Sequence, residues 1–314
     1  MDLVDALVLK NLKGVGDDTV RSLLDFTAVE NLKSLEDIKK SLALRPLPLN
    51  RVPSSLVEFL TSDRFDIARK ETAAKCSAWK QVGIEVIPKG STNYPVQLLN
   101  VSKPPPFLFC KGNLALLREP KAIAVVGTRK NTSLGEKITA KTVEEFAGKG
   151  FTIVSGLALG IDGIAHRAAL KFQAPTIAVL VDLITVSPSS NRGLAADILD
   201  NKGLWVSENP PGTKAIPAFF AKRDRIQAGL SAAVFAIETA IDGGTMHAVN
   251  ASYSMGRPVF VPEPSAAGYS NLSIRAIAGT QELVRSGRAS TYTRKSYDEI
   301  NSKLEKISSS YKQS

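Results

Sequence analysis

The residues that decide the fold run from Lys121 to Leu170. They read K-A-I-A-V-V-G-T-R-K-N-T-S-L-G-E (121–136), a helical run, then F-T-I-V-S-G-L-A-L-G-I-D-G-I-A-H-R-A-A-L (151–170). Ile123 to Val126 is short, apolar and β-rich and ends in Gly127-Thr128-Arg129, which predicts a buried strand. Ser133 and Glu136 have the S-x-x-E spacing of a capping box, which predicts a helix start. Ile138, Val143, Phe146 and Ala147 mark its buried face, and Gly148 and Gly150 can stop it. Phe151 to Val154 predicts a second strand, ending in Ser155-Gly156 and followed by another helix. A strand–loop–helix unit used twice sets two glycine-bearing loops at the carboxyl edge of a parallel sheet.

That edge has a specific chemistry. A helix start carries free backbone N–H groups and a partial positive charge, so it suits a phosphate. Gly127 and Gly156 leave room for a backbone to approach an oxyanion, and Arg129 can add a bidentate contact. One glycine loop is equally well a tight turn without a ligand. Two loops, an arginine and a helix cap together point to an anion site.

Composition narrows the partners. The chain has 314 residues, 44% of them hydrophobic, enough for one large or two smaller domains with a sizeable core. Its net charge of +10 favours an acidic partner such as nucleic acid. Cys76 and Cys110 form no metal-ligand pattern, and His166 and His247 are the only histidines, which argues against a zinc site. The amino terminus M-D-L-V-D is acidic where a signal peptide needs positive charge, and no apolar stretch reaches the length of a membrane span. A cytoplasmic protein with no cofactor and no membrane partner is the expectation.

Outside the deciding stretch, residues 1–75 read as a small helical domain. Leu7, Leu9 and Leu12 precede Gly14-Val15-Gly16, after which Asp17 and Asp18 can cap a helix through Val20, Leu23 and Leu24. The G-V-G resembles a helix–hairpin–helix, whose backbone N–H groups hold phosphate in DNA-binding versions; Asp17 and Asp18 would repel phosphate and favour a packing role. Arg45 to Asn50, rich in proline and leucine, reads as a loop. A helix carrying Phe65, Ala68, Ala73 and Trp79 and a strand at Ile84–Ile87 come next. Further strands are expected at Thr176–Val181, Leu204–Ser207, Ala233–Glu238, Pro258–Pro262 and Glu282–Val284, separated by helices. The fold class is therefore α/β: an extended Rossmann-like, mainly parallel sheet flanked by helices, over residues 76–286. Residues 287–314 read as a polar tail with one helix from Ser296 to Ile307.

Two further stretches bear on binding. Lys222-Arg223-Asp224-Arg225 is the densest cationic cluster inside the core, and it precedes a β-run. It reads either as a phosphate site or as a salt-bridged helix around Asp224. Gly243-Gly244-Thr245 is a third glycine loop between a strand and a helix starting near Met246, able to hold another anion on its N–H groups.

The blocks V-V-G-T-R…S-L-G (125–135), I-V-S-G-L-A-L-G-I-D-G-I-A-H-R-A-A-L (153–170) and R-D-R-I-Q-A-G-L-S (223–231) resemble the DNA processing protein A (DprA, or Smf) family. Tyr94-Pro95…Leu98-Leu99 and P-P-F-L-F-C-K-G-N (105–113) are similar to the blocks that open its core. The resemblance implies a non-enzymatic single-stranded DNA binder that hands DNA to a RecA-type recombinase in transformation or recombination, and that works as a homodimer. In the family the segment matching Arg223-Asp224-Arg225 reads R-N-R, and its arginines help form the DNA pocket. Asp224, Met246-His247 and Glu263 depart from the family pattern.

Two functions are thus in view. In the first, Gly127, Thr128, Arg129, Ser133, Ser155, Gly156, Lys222, Arg223, Arg225, Gly243, Gly244 and Thr245 bind the phosphates of single-stranded DNA, with Asp162 and Glu238 in support. In the second, the same loops cradle one nucleotide for a sensor or a phosphoribohydrolase-like enzyme, with Glu238 and Asp162 as acid and base. Structural roles are open to both carboxylates: Asp162 can cap a helix near Gly163, and Glu238 can orient Arg225. No Ser-His-Asp set, Walker loop or metal cluster can be assembled, and His166 reads as a packing residue on a helix.

Overall fold

The computed structural model describes residues 1–42, 53–60, 62, 64–264 and 274–311; the expected loop at 45–50 lies outside them. The chain forms two compact units, Met1–Tyr94 with Lys103–Phe109, and Pro95–Ser102 with Cys110–Ser314. Read from sequence, the first boundary falls after residue 75 instead.

The first unit is helical: α1 (Leu3–Asn11), α2 (Asp17–Val29), α3 (Leu35–Leu42), α4 (Ser54–Leu60) and α5 (Phe65–Gln81), followed by the strand β1 (Ile84–Pro88). Leu7, Leu9, Leu23 and Leu35 are fully buried in its core. The strand β2 (Phe107–Gly112) begins here, with Phe109 edge-on to Trp79 at 5.4 Å. Asp17 and Asp18 do not cap α2; its cap position is Gly16, with no side-chain hydrogen bond. Asp17 instead pairs with Lys10, and Asp18 with Arg21 (2.7 Å) and Lys103 (3.0 Å). Carboxylates in a first helical turn remain favourable for the helix dipole even when they do not cap.

The second unit holds the sheet that positions the candidate site. Its elements are β3 (Ala122–Val126), α6 (Ser133–Gly148), β4 (Thr152–Ser155), α7 (Ile161–Lys171), β5 (Thr176–Val179), α8 (Arg192–Asp200), β6 (Leu204–Ser207), α9 (Pro217–Gly229), β7 (Ala233–Ala236), α10 (Met246–Ser254), β8 (Val259–Pro262), α11 (Ile274–Arg285), β9 (Ser290–Tyr292) and α12 (Tyr297–Ser310). These strands lie in the order β6-β5-β4-β3-β7-β8-β9, and all are parallel. Each successive strand lies further out from β3, first on one side and then, from β7 onward, on the other. The connections leaving β3 and β7 therefore diverge, which opens a crevice at their carboxyl ends.

Both faces of this sheet are covered, so its strands read as continuous apolar runs rather than alternating ones. The pleat still sorts them. Ile123, Val125, Ala233 and Phe235 belong to one core cluster, and Ala124, Val126, Val234 and Ala236 to the other. Phe146 of α6 anchors the first cluster, with ring centroids 4.9 Å from Phe235, 5.3 Å from Phe151 and 5.9 Å from Tyr297.

The expected strand at Glu282–Val284 is the last turn of α11, and the edge strand is Ser290–Tyr292 instead. A three-residue stretch with two apolar residues cannot distinguish strand from helix by period. Residues 287–314, read as a polar tail, contribute β9 and α12, whose Tyr297, Ile300 and Leu304 are buried in the first cluster. The apolar positions of α12 fall at helical spacing among lysines and serines, so composition alone hid the buried face.

One glycine is fixed by both conformation and space. Gly160 has φ +74°, and a Cβ there would lie 2.3 Å from the carbonyl oxygen of Thr128. Gly160→Ala is expected to destabilise the protein by about 2–4 kcal/mol, read as a fall in Tm by circular dichroism. An unchanged Tm would show that this crossing is not tight.

Candidate functional site

The crevice at the carboxyl ends of β3 and β7 gathers the sequence-predicted loops. The Thr128 N–H donates to the Glu238 carbonyl (2.7 Å), and the Ile161 N–H donates to the Thr128 carbonyl (3.2 Å). The turns after β3, β4 and β7 are thereby tied together on one edge. The Glu238 side chain, fully buried, accepts from the Thr132 N–H (2.9 Å) and hydroxyl (2.5 Å). Thr132 in turn accepts from the Gly135 N–H (3.0 Å) and is the cap of α6, in place of the expected Ser133, which is exposed. In T-S-L-G-E the cap falls one residue earlier than the capping-box spacing implies. Glu238 does not orient Arg225; it fixes the start of α6.

The turn after β4 is held from within. The Ser155 hydroxyl donates to the Val125 carbonyl (2.7 Å), and the N–H groups of Gly156 and Ala158 donate to Asp162 (3.2 and 3.4 Å). Asp162 thus grips the turn ahead of α7 rather than the helix near Gly163. Leu157, fully buried at φ +60°, is held by Asn191, whose side-chain amide donates to the carbonyls of Leu157 (2.8 Å) and Ala158 (3.2 Å). The Ser155 hydroxyl and the Gly156 N–H are satisfied inside the fold. Gly156 also makes room for Arg223, since a Cβ there would sit 1.5 Å from one of its terminal nitrogens.

The cluster on α9 divides in two. Arg223 is only 4% exposed. Its guanidinium donates to the Val179 carbonyl at the end of β5 (2.9 Å), and its Nε lies 3.1 Å from Asp224. Arg225 pairs with Glu208, and Lys222 lies 3.2 Å from the same carboxylate. One terminal nitrogen of Arg225 is buried without a hydrogen-bond partner among the described residues. The Arg129 guanidinium, on the turn after β3, lies over the half-buried Phe220 ring, 5.9 Å from its centroid, and the neighbouring Lys130 is exposed. Neither Phe220 nor Glu208 stands out in the sequence, because a single aromatic or carboxylate carries no spacing signal.

The third loop is open. The N–H groups of Gly244 and Thr245, ahead of α10, have no backbone partner among the described residues, and no atom lies within 4 Å of where a Gly244 Cβ would stand. Together with Ser133, Arg129 and Lys130 they offer N–H groups, a hydroxyl and positive charge around one crevice, a set suited to polyanion phosphates.

Burial sets the protonation of the interior groups. It pushes the Asp162 carboxyl above its usual range, against the opposing pull of Arg223 and the two N–H groups. It pushes Asp224 up to about 6, with Arg223 pulling down and Asp162 pushing further up. His166 is fully buried with Nδ1 2.8 Å from the Thr176 hydroxyl, which itself donates to the Ile153 carbonyl. Burial lowers the imidazole to about 3, so it is neutral and unsuited to proton transfer near pH 7.

The DNA recombination-mediator protein A family model matches residues 85–305. The chain belongs to that family. It is 36% identical over 185 residues to DNA processing protein DprA of Bacillus subtilis, covering 59% of this chain and 62% of the relative. It is 38% identical over 198 residues to protein Smf of Escherichia coli, covering 62% of this chain and 53% of the relative. The chain therefore matches only about half to two thirds of those relatives' length. DNA processing protein A from Streptococcus pneumoniae superposes with a TM-score of 0.75 and 28% identity, over 93% of this chain and 95% of that one. DNA processing protein A from Helicobacter pylori, a protein with a single-stranded DNA binding mode, superposes with a TM-score of 0.60 and 26% identity, over 71% of this chain and 96% of that one. The recombination-mediator family thus accounts for the extended Rossmann-like sheet.

Asp224 gives a test of the crevice's electrostatics. Its folded pKa, about 6, lies above the ordinary 3.8, so its contribution to stability is full below pH 3.8 and falls as pH rises to about 6. The stability of the protein minus that of Asp224→Asn should fall by on the order of 3 kcal/mol between pH 4 and pH 7, measured by urea unfolding. A difference that stays flat across that window would mean Asp224 ionises as an ordinary carboxylate.

Proposed function

We propose that this chain binds single-stranded DNA without strong sequence preference, in the crevice between the carboxyl ends of β3 and β7. The observation that carries the reading is that three glycine-bearing turns, hydrogen-bonded to one another, surround the topological switch point with cations and open N–H groups. Arg129 and Lys130 neutralise phosphates, Ser133, Gly244 and Thr245 hold phosphate oxygens, and Phe220 offers a face on which a base stacks. Gly127 and Thr128 shape the β3 turn. Arg223, Arg225 and Lys222 add positive potential from behind, with the unpartnered Arg225 nitrogen the nearest of them to a ligand role. Glu238 and Asp162 are engaged in holding the loops, which favours a non-enzymatic binder over a nucleotide hydrolase.

Family membership supports a wider reading: a homodimer that delivers bound DNA to a RecA-type recombinase in the cytoplasm, in transformation or recombination. No helix among the described residues is long and apolar enough to cross a membrane. RecA assembly on DNA precoated with a single-strand-binding protein tests the delivery step; the chain should accelerate it, and an unaltered rate would overturn that step.

Fluorescence anisotropy with labelled oligo-dT tests the binding itself. Affinity should fall steeply with salt, and Arg129→Ala should reduce the slope of log K against log salt by about 0.7, the share of one phosphate on a single strand. Absence of binding at low salt, or a slope that Arg129→Ala leaves unchanged, would falsify the assignment.

A further inference from the structure

A cavity of about 600 Å³ opens beyond the crevice, at the carboxyl ends of β8 and β9, and none of the three glycine turns contributes to it. Its wall includes Leu134 and Ile138 of α6, Pro262 of β8, and the edges of the largely buried Tyr292 and Tyr297 (3% and 5% exposed). The rings are fixed, since both tyrosine hydroxyls meet the buried Thr142 hydroxyl, at 2.8 and 3.1 Å. Its rim is cationic: Lys137 on α6, and Arg294 and Lys295 on the turn between β9 and α12. All three are exposed, and none is paired with a carboxylate among the described residues. Lys141 also lines the cavity but is held by Glu144 and Glu145 at 2.9 Å each. Glu263 is the one carboxylate in the lining.

We propose that this cavity is a second binding site, for a single nucleotide unit: an aromatic base against the tyrosine and proline wall, and its phosphate on Lys137, Arg294 and Lys295. The volume is that of a small-ligand pocket. A preorganised apolar floor suits a flat ring, and three unpaired cations on two separate elements suit a phosphate dianion better than a single carboxylate. The site stands apart from the crevice and does not rest on the strand reading. It is nonetheless adjacent: Lys137 lies one helical turn, about 6 Å along α6, from Ser133. The nucleotide can therefore be free or can be the continuation of a strand held in the crevice.

Calorimetric titration with dAMP and anisotropy with an oligo-dA dodecamer separate these cases, using the full chain. Three variants are compared: the double variant Lys137→Glu with Lys295→Glu, the cavity-filling Leu134→Trp, and Arg129→Ala in the crevice. The dAMP affinity should fall about tenfold or more in the first two, whereas Arg129→Ala should chiefly weaken the oligonucleotide. If the first two variants also weaken the oligonucleotide, the occupant is part of the strand; if they weaken dAMP alone, it is a free nucleotide. Either result supports the site, and failure of the oligonucleotide to bind at all would remove the crevice reading while leaving the dAMP arm intact. The proposal is overturned if dAMP binding is lost in Arg129→Ala but kept in the double variant, or if inorganic phosphate binds as tightly as dAMP. It is overturned equally if dAMP does not bind at millimolar concentration and Leu134→Trp leaves the oligonucleotide affinity unchanged. The exposed position of Lys137 and Lys295 keeps the double variant folded, which circular dichroism checks.

Discussion

A single buried guanidinium organises the crevice. Arg223 reaches from α9 across Gly156 to the carbonyl at the end of β5, between two carboxylates, Asp162 and Asp224. A charge taken out of water is costly unless it is paired and hydrogen-bonded. Here the pairing serves position. The contact sets α9 against the ends of β4 and β5, and Asp162, within the field of Arg223, holds the N–H groups of the β4 turn. Removing any one member leaves the others buried and uncompensated, so the loops and the helix are fixed as a unit. The raised pKa values of Asp162 and Asp224 report the same cost from the carboxylate side.

This arrangement gives the cations different roles. Arg223 sits inside as a strut, Arg225 and Lys222 share Glu208 behind the crevice, and Arg129 and Lys130 stand at its mouth. An interior charge has a fixed position but weak access to a ligand; one at the surface has access but is more mobile. Arg129 escapes part of that penalty, because the Phe220 ring beneath it restricts where the guanidinium can lie. A crevice that mixes rigid backbone N–H groups with one guided arginine can hold a phosphate chain without reading its bases.

The sheet and the three glycine turns were legible because buried parallel strands leave a clear signature: Ile123–Val126 and Phe151–Val154 are short apolar runs closed by glycine or serine, and Ala233–Ile237 is one that runs into Glu238 ahead of Gly243-Gly244. Strand β9 was not legible, since Ser290–Tyr292 is too short to establish an alternation and Glu282–Val284 looks equally strand-like inside α11. Within Lys222–Arg225 the composition identified the cationic cluster, but direction is a matter of helix phase. Arg223 and Arg225 are two residues apart and so leave α9 on different sides, one into the sheet edge and one toward Glu208. The engagement of the Gly156 N–H by Asp162 had no sequence signal either, because a carboxylate six residues away predicts no particular turn.

Asp224 joins these threads. This chain places a carboxyl beside the strut that holds the crevice together. An asparagine amide would be neutral at every pH and would leave Arg223 to Asp162 alone. The carboxyl instead changes charge near pH 6, and each of its two states leaves a different sum of charge beneath the turns. Protonated, it leaves the guanidinium of Arg223 less compensated and the crevice more positive. Ionised, it draws that field inward, and the attraction for a phosphate chain then falls more heavily on Arg129, Lys130 and the open N–H groups ahead of α10. The charge state of Asp224 thus tunes the potential of the crevice.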